Sequence, residues 1–470
     1  MIAPRTNAPR ETAGSRPPHR RGLNHIARRV VMSAAVAAFC GLALWSERGM
    51  QHRQALAQTL QAADSLKWYR GNIHTHSLWS DGDDYPEMIA VWYKEHGYDF
   101  LCFTDHNILP TIERWTEPDK NKGGQLAYDK LKQRFAEDWI DERTVDGRVE
   151  VRLKTFAEIS QKLAEPDKFL LIQGEEITDR FKNLPVHINA SNVRELVTPR
   201  GGESVYQVMQ QNVDAVVAQR ERTGQPMLVH LNHPNFGYAV TAEDLMRVRG
   251  ENFFEVYNGH PSVHNSGDAQ HASAERMWDI ILTRRISELD MPLMFGLATD
   301  DGHEYHNIPS RASEPGRGWI MVLAENLAPQ SLISALEAGR FYASSGVALE
   351  KVTSSSEGLE VKVAAEPDVT YTIEFIGTRK GYDDSSQPVT DNKGDEIWTS
   401  RKYSNELGTV LSSVKAAGAK YEFQGDELYV RARITSSRQH PNPSEPGEFE
   451  RAWVQPLRGP GATTESPGDR

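Results

Sequence analysis

Cysteine is nearly absent from this 470-residue chain, which has two, Cys40 and Cys102. Both sit in apolar runs. They imply neither a disulfide framework nor zinc-finger spacing and look like small buried hydrophobes. No G-x-S-x-G elbow and no paired Cys and His offer a protein nucleophile. Beyond the N-terminus acidic residues outnumber basic ones. The first fifty residues carry eight arginines against Glu11 and Glu47, a net of +6, and the chain as a whole carries −12, which leaves −18 on residues 51–470. A body that acidic is a poor nucleic-acid binder, because most non-specific affinity comes from Lys and Arg neutralising phosphates. DNA and RNA are therefore excluded as partners. What remains is ordinary: 39% hydrophobic and 25% charged residues describe a globular protein longer than one average domain.

The basic excess has a location. Arg16 to Arg29 form a positively charged region followed by an apolar stretch from Val30 to Trp45. That stretch is short for a membrane span of about 20 residues but suits the apolar segment of a secretion signal. Ala55-Leu56-Ala57 offers a cleavage site, and Arg28-Arg29-Val30-Val31 hints at a twin-arginine signal. Residues 1–65 are expected to be a signal or anchor segment with its linker. The protein is then exported, periplasmic or secreted, and touches the inner membrane only through residues 30–45 if these are kept.

From Trp68 to about Ser345 short apolar runs alternate with helical patterns. Asp84-Tyr85-Pro86-Glu87 starts a helix that Gly97 stops. Asp99–Thr104, Phe169–Gln173, Met227–Leu231, Phe253–Tyr257 and Leu293–Ala298 read as buried strands, with helices near Ser204–Arg222 and Ala272–Ile286. Such alternation predicts a mostly parallel sheet, open or closed into a barrel. Residues 110–165 interrupt it with a polar, helix-rich insertion. Beyond Gly346, Leu359–Val363, Thr370–Ile376, Lys420–Phe423 and Glu427–Thr435 alternate apolar and polar residues, which predicts a small antiparallel β-sandwich-like domain. The expected division is 66–347, 348–458, and a disordered tail from 459 to 470.

The histidines carry the chemistry. His74 and His76 stand two apart, so on a strand both rings point to one face. Asp81 follows in Ser80-Asp81-Gly82. His106 closes the next strand in Thr104-Asp105-His106, Glu176 follows the third in Gly174-Glu175-Glu176, and His187 stands nearby. His233 lies just past the fourth in Asn232-His233-Pro234, and Asp301 and His303 follow the Leu293–Ala298 strand. In parallel α/β proteins the ligand site lies at the carboxyl ends of the strands. Nine nitrogen and oxygen donors there are too many for one ion and suit two or three, and mixed imidazole and carboxylate donors favour Zn, Mn or Fe over Mg or Ca.

Taken in order, the H-x-H opening, S-D-G, T-D-H, G-x-E, the later histidine, H-P and closing D-x-H resemble the polymerase and histidinol phosphatase (PHP) superfamily of metal-dependent phosphoesterases, over roughly residues 68–347. The resemblance implies a distorted (β/α)7 barrel with two or three divalent metals at its mouth. It implies His74, His76, Asp81, His106, Glu176, His187, His233, Asp301 and His303 as metal ligands, with Glu176, His106 and Asp301 at the reacting centre. Gly174-Glu175-Glu176-Ile177-Thr178, Tyr257-Asn258-Gly259 and Gly339–Gly346 look most like its CehA/McbA group. The implied activity is hydrolysis by metal-activated water, of phosphoesters or, as an alternative, of carboxyl esters or carbamates. A secreted binding protein without chemistry is the third reading.

Glu175 and Asp300 compete with their neighbours for ligand roles. Arg340 and His230 are candidate substrate contacts, though His230 lies inside a strand and suits a place behind the ligands, and Arg340 could cap a helix end. A phosphate would want Arg180, Lys182, Arg311 or Arg340 nearby. A neutral carbamate would want aromatic walls such as Trp79, Tyr238 and Tyr305. His260, His264, His271 and His306 lie in loops beside the site. The expected partner is a small-molecule ester.

Overall fold

The computed structural model describes residues 66–462; the expected export signal, Cys40 and residues 463–470 lie outside them. Thirteen strands form one sheet. In chain order they are β1 (Lys67–Asn72), β2 (Phe100–Phe103), β3 (Leu170–Phe181), β4 (Leu184–Ser191), β5 (Leu228–Leu231), β6 (Phe253–Asn258), β7 (Phe295–Thr299), β8 (Trp319–Ala324), β9 (Phe341–Ser344), β10 (Tyr371–Arg379), β11 (Thr409–Lys415), β12 (Glu427–Gln439) and β13 (Phe449–Arg458). Seven helices lie between them: α1 (Pro86–Glu95), α2 (Gly124–Arg134), α3 (Phe156–Leu163), α4 (Val205–Thr223), α5 (Ala242–Leu245), α6 (Ala274–Ser287) and α7 (Pro329–Glu337). No described helix is long and apolar enough to cross a membrane.

The local signals act as expected. Pro86 opens α1, and Gly97 follows its end at φ 74°. Ser204 and Ser273 cap α4 and α6 by accepting backbone N–H groups of Gln207 and Arg276, which satisfies donors the first turn leaves unpaired.

Strand pairing departs from expectation. The order is β7-β6-β5-β4-β3-β2-β1-β8-β9-β13-β12-β10-β11. Only β1–β2, β2–β3, β5–β6 and β6–β7 are parallel. β3 and β4 form a hairpin closed by Lys182-Asn183, with Lys182 at φ 56°. The ladder is open rather than a closed (β/α)7 ring. It curls nonetheless: residues on β1, β2, β3, β5, β6, β7, β8 and β9 meet in one buried cluster, which α7 joins through Leu332, Ile333 and Leu336. At the opposite end from α7, a parallel bridge between Thr75 and Gly302 ties the segments after β1 and β7.

The ladder also runs across residue 347, since β9 pairs with both β8 and β13, and the described residues 66–462 cluster as one compact unit. A three-stranded sheet (349–355, 358–363 and 418–422) completes the C-terminal part. The insertion expected to be helix-rich carries α2 and α3 and also a small sheet of Trp115–Thr116, Glu142–Val145 and Arg148–Arg152. Residues 459–462, expected to begin a disordered tail, are ordered. A Cβ on Gly459 would stand 2.2 Å from the Glu427 carbonyl oxygen, so the chain packs tightly there, and Pro460–Ala462 form a 3-10 turn.

Candidate metal centre

Most of the donors stand at or just past the carboxyl ends of parallel strands. β1 runs into His74-Thr75-His76, held by His76 N donating to Gly302 O (3.0 Å) and Asp301 N donating to His74 O (3.1 Å). Beyond β2, His106 is bridged to Glu176 on the overhanging half of β3. His187 lies on β4, His233 two residues past β5, and Asp301 and His303 past β7. Asp301 takes φ 50°, a left-handed conformation that Asp tolerates better than most residues. This backbone turns its side chain into the site.

The nine predicted side chains come together. Glu176 is the hub. Its Oε2 lies 2.9 Å from His106 Nδ1, 3.2 Å from His76 Nε2 and 3.5 Å from His74 Nε2; its Oε1 lies 3.0 Å from His187 Nδ1 and 3.5 Å from His233 Nε2. Asp301 Oδ1 is 3.2 Å from His74 Nε2 and 3.1 Å from His76 Nε2. Asp81 Oδ1 stands 3.5–3.6 Å from His76, His106 and His303. Asp81 is presented by a loop in which Asp105 accepts from Ser77 N, Ser77 Oγ and Ser80 Oγ at 2.7–2.9 Å. Gly82 is required there, because a Cβ would stand 2.4 Å from the His76 carbonyl oxygen.

Burial in low dielectric raises carboxylates and lowers imidazoles, and here local charge overrides it. Burial pushes Glu176 up, yet His106, His74 and His187 hold it well below the usual carboxylate range. Asp301 behaves likewise beside His74, His76 and His303. His74 is pulled down by burial and lifted well above its ordinary value by Asp301, Glu255 and Glu176, and His106 is pushed up to about 11 against burial, chiefly by Glu176 and Asp81. The centre is a sink for positive charge.

Four groups of side chains bring ligand-type atoms within 4.8 Å of one another: His76, Asp81, His106 and His303; His74, Glu176 and His233; His74, His76 and Asp301; and His74, His230 and Glu255. His74 Nε2, both ring nitrogens of His76 and Glu176 Oε2 are buried without a hydrogen bond. Carboxylate oxygens of Asp81, Glu176 and Asp301 stand 3.1–3.6 Å from these ring nitrogens. Metal ions would satisfy such atoms.

The competing neighbours face elsewhere. The Glu175 carboxylate accepts from Val197 N (2.6 Å). Asp300 accepts from Asn72, Tyr93, Arg317 and Gly318 at 2.7–3.0 Å, a staple rather than a ligand. His230 does not line the cleft; it is buried with Nε2 3.3 Å from Glu255 Oε1. Arg340 does not reach the site either. It is exposed in the α7–β9 turn, with its carbonyl bonded to Leu323 N near the start of β1, at the far end of the sheet.

The cleft over the cluster measures about 230 Å³ and is lined by Asp81, His106, Lys122, Glu176, His187, His233, Phe236, His260, Asp301, His303 and Glu304. The expected walls are absent from it. Trp79 is buried with its indole N–H on Lys154 O, Tyr305 donates to His76 O and Gly302 O, and Tyr238 stacks on His271 at 3.6 Å. Arg180, Lys182 and Arg311 are exposed and outside the lining. Sequence reasoning missed Phe236, Lys122, Glu304 and Glu255. Of these only Glu255 left a signal, a single charge inside the apolar run Phe253–Tyr257.

No family model and no curated protein matches the sequence. Among solved structures, the chain is similar to a two-domain protein from Bacteroides vulgatus containing a predicted PHP-like metal-dependent phosphoesterase, at 14% identity and a TM-score of 0.37, covering 83% of this chain and 96% of that one. It is also similar to PsfC from Pseudomonas syringae, at 13% identity and a TM-score of 0.30, covering 57% of this chain and 88% of that one. With TM-scores below 0.5, neither likeness bears on the chemistry, which rests on the residues alone.

Proposed function

We propose that this chain is an exported metal-dependent hydrolase of the PHP type, acting on phosphoesters, and that the curled β1–β9 part of the sheet is a form of that superfamily's distorted barrel. The observation that carries the reading is the set of buried, unpaired donor atoms on His74, His76 and Glu176 among nine converging imidazoles and carboxylates. His76, Asp81, His106 and His303 would hold one divalent ion; His74, Glu176 and His233, with Asp301, would hold a second and leave donors for a third. Zn, Mn or Fe suits these donors. Such ions, when bound, supply Lewis acidity and lower the pKa of water from 15.7 to about 7.

The chain's own groups do the rest. Glu176 and Asp301 set the negative potential that draws cations in. Phe236 packs edge-on against His233 with centroids 5.1 Å apart and excludes water from one wall. His260 Nδ1 accepts from Ser262 N (3.1 Å), so its ring proton sits on Nε2 and is available to hydrogen-bond a substrate oxygen. A carboxyl-ester or carbamate hydrolase of the CehA/McbA type is less well supported, since among the described residues Phe236 is the single hydrocarbon ring on the cleft.

The test is metal analysis of purified protein with parallel assays of phosphomonoester, phosphodiester, carboxyl-ester and carbamate substrates. His74→Ala and Asp301→Ala should each lower bound metal and abolish turnover while circular dichroism is unchanged. Wild-type metal content in both variants would sink the assignment.

A further inference from the structure

We propose that Lys122 is the specificity-determining residue of the cleft, an anion clamp restrained by Glu304 that favours dianionic phosphate monoesters over monoanionic diesters and neutral esters. The proposal rests on the phosphoester reading above and goes beyond it in naming the group that reads substrate charge.

Among the described residues, Lys122 is the only Lys or Arg lining the cleft. It does not come from the strand ends that deliver the cluster. It comes from the insertion between β2 and β3, on the loop that enters α2. The loop's backbone is pinned: Gly124 N donates to Asn121 Oδ1 (2.8 Å), Asn121 Nδ2 donates to Thr116 Oγ1 (3.2 Å), and Gly123 lies so close to Asp83 O that a Cβ would approach to 2.2 Å. The side chain, by contrast, is 42% exposed.

Its ammonium group donates to Asp81 O (2.8 Å) and stands 3.0 Å from Glu304 Oε1. An ammonium has three donors, so one remains for the cleft. Glu304 is the fixed partner, because its Oε2 accepts from Ser313 N (2.9 Å). An exposed ion pair of this kind contributes little and exchanges readily for a better anion. The Asp81 loop does not need Lys122 for its shape. Asp105 holds Ser77 and Ser80, Gly82 N donates to Ser77 O, and Asp83 N donates to His303 O (2.8 Å). A phosphate monoester seated on the cluster keeps a charged oxygen that a diester lacks, and Lys122 at the rim can meet it. Glu304 then tunes the clamp by competing for the same ammonium.

The experiment uses the full chain loaded with Mn. Binding of inorganic phosphate is measured by calorimetry, alongside metal content and turnover of p-nitrophenyl phosphate, bis-p-nitrophenyl phosphate and p-nitrophenyl acetate. Lys122→Met should weaken phosphate binding about tenfold and raise KM for the monoester, with metal content and acetate turnover unchanged. Glu304→Gln should do the reverse and tighten phosphate binding severalfold. Provided the wild type turns over the monoester, two results overturn the clamp alone: phosphate affinity unmoved in Lys122→Met, or both variants losing metal and activity together, which is the signature of a purely structural bridge. If the Mn-loaded wild type neither binds phosphate nor cleaves either phosphoester, the clamp and the underlying phosphoester reading fall together.

Discussion

Nδ1 of His74 lies 2.7 Å from Oε1 of Glu255, a carboxylate buried in the middle of β6. The contact fixes the imidazole so that Nε2 faces Glu176 and Asp301. Glu255 is itself held by Thr299 Oγ1 (2.8 Å), Asn258 Nδ2 (2.8 Å) and His233 N (2.9 Å). One carboxylate thus orients two candidate ligands from behind.

Glu255→Gln should therefore weaken metal binding about 10- to 100-fold, the usual cost of losing a partner that orients a ligand. Chelator competition measures this. Unchanged affinity would show that His74 needs no such support.

Glu175 predicts a pH effect separate from the centre. Its buried carboxyl is pushed from an ordinary 4.5 up to about 8 by burial, which outweighs the Val197 N–H. The folded protein then keeps a proton that the unfolded chain releases above about 4.5. Stability should fall as pH rises between those values, with a slope approaching about 1.4 kcal/mol per unit, and level off above 8. Glu175→Gln should remove this component of the slope. Urea midpoints at pH 5 and pH 8.5 compare the two proteins, and equal slopes would refute the shift.

Arg431 and Asp279 join β12 to α6 through two 2.8 Å bonds, and Tyr429 donates to the same carboxylate at 2.8 Å. Both side chains are nearly inaccessible, at 1% and 7% exposure. Arg431→Ala strands a buried carboxylate and should cost about 3–5 kcal/mol. Denaturant titration reads this directly. A loss below about 1 kcal/mol would mean that the pair is already solvated.

The export reading has a cell-based check. Residues 1–57 fused to a reporter should carry it across the inner membrane. A reporter found only in the cytoplasm would overturn the proposed location.

Strand and helix positions were readable because their signals are local: Asp84 to Gly97 brackets α1, and the apolar runs before His106, Glu176 and His233 mark β2, β3 and β5. Pairing was not readable. The β3–β4 hairpin is hard to read because its strands carry site residues, Glu176 and His187, where turn signals would otherwise dominate, whereas Asp146-Gly147 between alternating residues is an ordinary hairpin signal. The antiparallel return of β9 onto β13 depends on contacts more than a hundred residues apart. In the site, ligand types at strand ends were legible because few other arrangements need them. Lys122 and Phe236 were not, since nothing in a lone Lys or Phe distinguishes a cleft wall from ordinary surface or core.

The Thr75–Gly302 bridge has a consequence for when the protein matures. The first and last donors, His74 and His303, are encoded 229 positions apart, and the bridge beside them joins the segment after β1 to the segment after β7. A nascent or half-folded chain would therefore hold only fragments of the proposed centre. Cation uptake would then mark completed folding, in whichever compartment the chain finishes folding. On the proposed reading, the ions available there, rather than at the ribosome, would decide which metal the mature protein carries.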